Sequence, residues 1–459
     1  MKTKLINLWV SMRASFWFIP ALMVITATVM AFNLVTIDRT LSVFSFRFYG
    51  FTYSISPEGA RSILATIAGS MMTVAGVTFS ITIVVLNLAS SQFGPRLLRN
   101  FMEDRSTQFV LGAFVSSFIY CLFVLRSIET FATDPFVPNL SVIFAVLLAL
   151  FNVGVLIFFI HHIATSIQAE EVVAEISRDL EENIRRIFPD ELSYETLNEK
   201  RRTTHPPEEK KEHHYIHNFA ARSNGYLQAV NTDGLFQIAR KNDYLIHLQL
   251  RPGQFVITGS TLAVITSTDI FNVQLIDSIN DAFIIGTRRT PEQDAEYPIH
   301  QLVEVAIRAL SPGINDPYTA IACIDQLGAS LNILAKREFP SAYFFDDQDK
   351  LRLQTKPYTY SGMLNASFDQ IRQYGNTSVA VTLRLLEMLT ILTAQSGYAD
   401  QRRAIHRQAK MILRSSQDVL PEENDREDAQ QRYQLLLRAL HEFDDGNDSY
   451  EVHDGISLS

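Results

Sequence analysis

Four stretches of the chain carry no charged residue, and each is long enough to cross a bilayer. They run from Ala14 to Ile37, Ser62 to Pro95, Ser106 to Leu125 and Pro135 to Ala169. About 20 apolar residues in a helix span the hydrocarbon core. The pattern therefore predicts four transmembrane helices, at about 14–37, 62–95, 106–125 and 137–160, within a bundle covering 1–169. The first apolar run is too long for a signal peptide and has no small-residue cleavage site, so it is expected to stay as a span. From 170 to 217 the pattern predicts a charged helical extension and a polar linker. Between 218 and 287 alternation and turn residues predict a small α/β unit. Its strands are Gly225–Val230, Tyr244–Leu250 and a pair joined at a turn, Arg251–Val256 and Gly259–Ile265; a short helix, Leu235–Arg240, follows the Asn231–Gly234 turn.

From 288 to 443 the helical period dominates. Helices are expected at Ile299–Leu310, Ala329–Lys336, Gly362–Tyr374, Asn376–Gln395, Arg402–Gln417 and Asp428–Phe443. Asn376–Gln395 is strongly apolar, but Arg384 and Glu387 interrupt it, which makes it a buried core helix rather than a fifth span. Residues 444–459 read as an acidic, disordered tail. The predicted fold class is a membrane α-helical bundle of four transmembrane helices, followed by a mixed α/β, mostly helical cytoplasmic domain.

Charge sharpens this partition. Residues 1–169 carry a net charge of +4 and the remainder −13. Only 19% of the 459 residues are charged, against about 25% in soluble domains. Lys2, Lys4 and Arg13, then Arg96, Arg99 and Arg105, then Arg178, Arg185 and Arg186 flank the same side of the four spans. Positive residues stay inside, so the chain is expected in a bacterial inner membrane, multi-pass, with both termini cytoplasmic. A net charge of −9 argues against nucleic acid held by bulk attraction. Two cysteines, Cys121 and Cys323, exclude a disulfide scaffold and a multi-cysteine zinc site.

The second span is the informative one. Its 34 charge-free residues make a helix of roughly 51 Å, longer than the roughly 30 Å hydrocarbon core. Such a helix must tilt, break or project. Gly69, Thr73, Gly76, Ser80, Asn87 and Ser91 recur at spacings of three, four or seven, along one helical face. Close helix packing is the ordinary reason for such a stripe; a pore or water-filled cavity in an oligomer is the functional alternative. A second small face on the third span, Gly112, Ala113, Ser116 and Ser117, reads as packing. The aromatic segment Leu41–Ser56 reads as an interfacial belt turning near Gly50. His161 and His162 close the fourth span and read as interfacial residues, with pH sensing as the alternative. His213, His214 and His217 have a spacing a metal can use, but no second ligand cluster supports it.

The densest signal lies at 288–320. It comprises Arg289-Thr290 with Glu292-Gln293-Asp294, and the loop Arg308 to Ala320, RALSPGINDPYTA. Together with SSQFGPRLLRNF upstream, these motifs resemble a bacterial family of predicted membrane proteins, domain of unknown function 2254, over nearly the whole chain. The resemblance implies the topology and no activity. Physically, Gly313 is expected to end one helix in a left-handed conformation. Asp316 should cap the next, with Pro317 in its first turn. A small-ligand or subunit-contact loop built from Arg288, Asp294, Arg308, Asn315 and Asp316 is the alternative to a purely structural joint.

The sequence shows no P-loop, dinucleotide fingerprint, nucleophile elbow or zinc-protease motif. Asp346, Asp347 and Asp349 cluster, but as a solvated turn rather than a metal loop. No catalytic residue, cofactor or metal is expected. The lipid bilayer and further copies of the chain are the expected partners, with any small-molecule or ion ligand unidentified. Two functions follow: a homo-oligomeric, channel-like or transport-related assembly with a cytoplasmic regulatory domain, or a membrane-anchored sensor or scaffold. A pocket gathering Arg288, Asp294, Arg308 and Asp316 would favour an enzyme instead.

Overall fold

The computed structural model describes residues 17–43, 55–94, 104–128, 136–166, 168–189 and 215–451. The chain divides into two compact units, 1–171 and 172–459. The aromatic turn near Gly50, the Arg96–Asn100 part of the upstream motif, and His213 and His214 lie outside the described residues.

Among the described residues the first unit holds four helices: α1 (Phe18–Val43), α2 (Pro57–Phe93), α3 (Arg105–Arg126) and α4 (Asn139–Ser166). All four are long and apolar enough to cross a membrane. Their ends follow local chemistry more closely than the charge-free stretches did. Ser56 Oγ accepts from Gly59 N–H, and Pro57 and Glu58 occupy the first turn, so α2 starts five residues before the expected 62. Asp104 caps α3 through the N–H groups of Ser106 (3.0 Å) and Thr107 (3.1 Å). The α4 cap comes from another helix. Asp38, just past the expected end of the first span at 37, lies inside α1 and is buried; its carboxylate accepts from Leu140 N (3.0 Å), Ser141 N (2.9 Å) and Ser141 Oγ (2.7 Å).

Helix α3 packs against each of the other three. Its small residues allow this. A Cβ on Gly112 would sit 2.6 Å from Met23 Sδ and 3.1 Å from Pro20 Cα of α1, so only glycine admits that approach. Ala113, Ser116 and Ser117 are buried beside it, and the packing reading of this face holds. Asn152 of α4 donates to Ser117 Oγ at 2.6 Å, and Tyr120 OH to Ser141 O at 3.0 Å. Such polar contacts tie helices together where hydrophobicity alone cannot.

The second unit opens with α5 (Ala169–Ile187). Glu170 and Glu171 in its first turn and Arg185 and Arg186 in its last suit the helix dipole. The sheet region follows with β1 (Tyr215–Ala220), β2 (Gly225–Val230), α6 (Thr232–Asn242), β3 (Leu245–Leu248), β4 (Phe255–Val256), β5 (Thr261–Ser267), α7 (Ile276–Asn280) and β6 (Phe283–Gly286). The expected pair near 251–265 joins at a turn but does not hydrogen-bond to itself. β4 lies in a three-stranded antiparallel sheet, β4-β2-β6, while β5 pairs with β1 and β3 in the other. The two sheets bury one apolar core, including Leu227, Leu235, Ile246, Leu262, Ile265 and Phe283.

The rest contains α8 (Glu296–Ala309), α9 (Pro317–Ala335), β7 (Tyr343–Phe345), β8 (Leu351–Gln354), α10 (Tyr360–Tyr374), α11 (Val379–Gln395), α12 (Ala399–Val419) and α13 (Glu423–Glu451). The β7–β8 hairpin corrects the all-helical reading of 288–443. β8 pairs parallel with β3 through Ile246↔Leu353, giving the order β1-β5-β3-β8-β7. Asp346 corrects the solvated acidic turn: its carboxylate is buried, accepts from Gln348 N, Lys350 N and Arg352 Nε, and so closes the hairpin. In α11 the two charges expected to keep the helix out of the bilayer are both paired. Arg384 bonds Asp325 of α9 at 2.6 Å, and Glu387 accepts from Arg432 of α13 at 2.9 Å. Helix α13 continues to Glu451, beyond the expected start of the tail at Asp444; the intervening residues contain no proline to stop it.

Candidate functional site

The α2 stripe faces away from its own bundle. The buried residues of α2 are Ala60, Leu64, Ala68, Met71, Ala75, Thr78, Thr82, Val85, Ala89 and Phe93. Gly69, Thr73, Gly76, Ser80, Asn87 and Ser91 are all exposed. At 3.6 residues per turn the two sets lie about 165° apart around the axis. Packing within one chain therefore does not explain the stripe. Nothing lies within 4 Å of a Cβ added at Gly69 or Gly76, in contrast to Gly112. The stripe is flanked by exposed apolar residues, Met72 and Ile83 on one side and Val77, Ile81, Val84 and Leu88 on the other. Thr73 returns its hydroxyl to Gly69 O (2.9 Å) and Ser91 to Leu88 O (2.8 Å), which satisfies those hydroxyls within the helix itself.

Helix α2 is unbroken over its 37 residues, roughly 55 Å. Met71 meets Asn152 of α4, which runs the same way and ends at Ser166. Counting from that contact, α2 continues eight residues further, roughly 12 Å. Gly69, Thr73, Gly76 and Ser80 lie in the stretch that α4 accompanies by this count, and Asn87 and Ser91 fall in the last eight residues, where Ala89 and Phe93 stay buried on the opposite face.

In the second unit the RT-x-EQD motif forms a buried polar knot ahead of α8. Asp294 is 1% exposed. It accepts from Arg289 Nε at 2.7 Å and from Glu296 N at 3.2 Å. Arg289 also donates to His300 Nδ1 at 2.8 Å. Gly253, at φ 92°, lies against the Asp294 carboxylate so closely that a Cβ would overlap it. Arg251 pairs with Glu296 and places its guanidinium 4.6 Å over the Tyr358 ring. The Tyr358 hydroxyl accepts from Ala295 N and donates to Gln293 O, both at 3.2 Å; burial pushes this phenol up from its ordinary pKa. Gln293 Oε1 accepts from Val230 N at 3.0 Å, tying the knot to β2. On the other side, Pro291 O accepts from Asn183 (2.5 Å) and Arg186 (2.8 Å) of α5. Its buried charges are matched, Arg289 by Asp294 and Arg251 by Glu296, so its chemistry is fastening. Arg251, Gly253 and Tyr358 escaped the sequence reading because they come from loops distant along the chain. The turn around Pro252-Gly253 was the only signal.

The five candidate ligand residues do not converge. Asp294 stands before α8, whereas Arg308, Asn315 and Asp316 gather at its far end, after 14 helical residues or roughly 21 Å. Arg288 is exposed, and its carbonyl accepts from Gln228 Nε2 at 2.8 Å. Arg308 pairs with Glu304 at 3.7 Å. The SPGINDP joint forms as expected in one respect and not in another. Asp316 caps α9, accepting from Tyr318 N (3.2 Å), Thr319 N (3.1 Å) and Thr319 Oγ1 (2.5 Å). The Thr319 hydroxyl, with the backbone N–H groups of Thr319 and Tyr318, holds this carboxyl below the usual range. The left-handed residue, however, is Asn315 (φ 52°), not Gly313. Asparagine tolerates that region, and Asn315 N bonds Ser311 O while Asp316 N bonds Ala309 O. Ile314 and Tyr318 project from the joint into the open.

The two histidines at the end of α4 are inequivalent. His162 Nε2 lies 2.8 Å from Asp104 Oδ2, linking α4 to the start of α3, and its ring stacks on Phe158. His217 stacks on Phe271 with ring centroids 4.5 Å apart. Among the described residues no three His, Cys, Asp or Glu side chains gather as a metal site.

Comparison with known proteins places these features in a lineage. Residues 13–390 match the family described as "Predicted membrane protein (DUF2254)". An uncharacterized protein of Mycobacterium tuberculosis is 29% identical over 380 residues, covering 81% of this chain and 71% of that protein. An uncharacterized protein of Mycobacterium bovis matches to the same extent. No solved structure matches the chain.

Proposed function

Because this chain belongs to the DUF2254 family of predicted membrane proteins, we propose that it works as a multi-pass homo-oligomer of the bacterial inner membrane. In this reading the outward stripe of α2 lines or flanks the symmetry axis of a channel-like or transport-related assembly. Both termini and the second unit lie in the cytoplasm, where that unit regulates the assembly, and it catalyses no reaction. One observation carries the proposal: a face built from Gly69, Thr73, Gly76 and Ser80 points directly away from the core of its own bundle. Small residues let helix backbones approach, and a surface meant only for lipid has no use for them. The basic residues flanking one side of the spans support the orientation.

Gly76→Leu tests association cleanly, because nothing within 4 Å of the site obstructs a larger residue inside one chain. The variant should shift purified protein to a smaller species in native mass spectrometry. Gly76→Cys should cross-link copies, since both native cysteines are buried. In liposomes the wild type should show a conductance, and Asn87→Leu, near the C-terminal end of α2, should change it several-fold. A monomeric wild type without flux overturns the proposal. An oligomer without flux leaves the second reading, a membrane-anchored sensor or scaffold; the projecting Ile314 and Tyr318 beside Asn315 support that one.

A further inference from the structure

A groove of about 500 Å³ runs along the outer surface between α3 and α4, lined by Arg105, Phe109, Phe151, Gly154 and Phe158. Its size falls within the roughly 300–1,000 Å³ of small-ligand clefts. Three rings line it, and Phe109, Phe151 and Phe158 are all exposed. Gly154 leaves the gap, since nothing lies within 4 Å of a Cβ placed there. At the mouth stands Arg105, exposed and without an ion-pair partner among the described residues. The neighbouring carboxylate, Asp104, is already engaged by Thr107, Ser106 N and His162. His162 in turn stacks on Phe158, with ring centroids 5.6 Å apart, and so holds one wall of the groove.

An apolar slot inside two membrane-spanning helices, capped by an unpaired cation at the end of the span, has the polarity profile of a phospholipid. We propose that this groove is a binding site for an anionic phospholipid of the surrounding leaflet. One acyl chain lies over Gly154 between the phenyl rings, and the phosphate of the headgroup meets the Arg105 guanidinium. Arginine suits this contact because its planar fork matches phosphate oxygens. The site is independent of the α2 stripe, which lies on a different helix, so it stands whether or not the assembly conducts.

The test is native mass spectrometry of the full chain released from detergent with added phosphatidylglycerol or phosphatidylcholine. The wild type should retain phosphatidylglycerol in preference. Arg105→Gln should lose that preference by about fivefold, the contribution of one basic residue near anionic lipid, while still retaining acyl chains. Gly154→Leu should fill the slot and lose both lipids, with the helical circular dichroism unchanged. Two results overturn the proposal: lipid retention by both variants equal to wild type, or a change of oligomeric mass in Gly154→Leu, which would make a second copy the occupant.

Discussion

Replacing Asp294 by alanine probes whether the RT-x-EQD knot fastens the second unit. The carboxylate is 1% exposed and holds Arg289 at 2.7 Å. Removing one member of a buried pair costs roughly 3–5 kcal/mol, because the other charge is left unpaired. Arg289 retains 21% exposure of its side chain and a contact to His300, so the lower end applies, about 3 kcal/mol. A unit this large loses roughly 2–4 °C of Tm per kcal/mol, which gives a drop of about 6–12 °C. The assay is a far-ultraviolet circular dichroism melt of the full chain in detergent. Tryptophan emission is unsuitable, because both tryptophans, Trp9 and Trp17, precede or open α1. A double-mutant cycle with Arg289→Ala isolates the pair; in-contact residues couple by about 0.5–3 kcal/mol. A melt within about 2 °C of wild type, or strict additivity with Arg289→Ala, refutes the fastening role.

Gly253→Ala should destabilise the same knot by at least about 1 kcal/mol, since φ is 92° and the new Cβ overlaps Asp294; unchanged urea unfolding would contradict this. At the α8–α9 joint, Asp316→Ala should cost about 1 kcal/mol as a lost cap, whereas Asn315→Gly should be neutral or stabilising at φ 52°, read by the same melts. Acid should weaken the β7–β8 hairpin. Burial works to raise the Asp346 pKa, but hydrogen bonds from Arg352 and from the Lys350 and Gln348 N–H groups hold it below its ordinary value, and Arg352 does the same for Asp243. Their contribution is therefore complete above about pH 4 and is lost as pH falls through the lowered folded-state values. Arg352→Met should lower stability at neutral pH and flatten the dependence below pH 4, measured as urea midpoints against pH. In the first unit, Asp38→Ala should free the start of α4 and raise hydrogen exchange at Leu140 and Ser141; protection equal to wild type would mean that the cap does not matter.

The distribution of apolar residues alone settles that four helices suit a bilayer, because spanning length and the absence of charge are properties of a contiguous segment. The Asp316-Pro317 cap is legible for the same reason, since it acts on N–H groups two or three residues away; Ser56 and Asp104 act over the same range, but the charge-free runs passed them over. The stripe on α2 could be seen as a period in the letters, but not where it points. That depends on which face α3 and α4 cover, and it turned a presumed packing surface into an outward one. Asp38 and Asp346 show the same division. Asp38 follows the charge-free run that ends at Ile37 and Asp346 was expected in a solvated turn, yet each carboxylate is buried because a partner distant in the chain for Asp38, the N-terminus of α4, and across the hairpin for Asp346, Arg352, offers compensating hydrogen bonds. β8 is the clearest case: four residues become a strand because β3 presents an open edge more than a hundred positions earlier. Contacts of that range leave no periodicity for a linear reading to find; they arise from the free energy of closing the core.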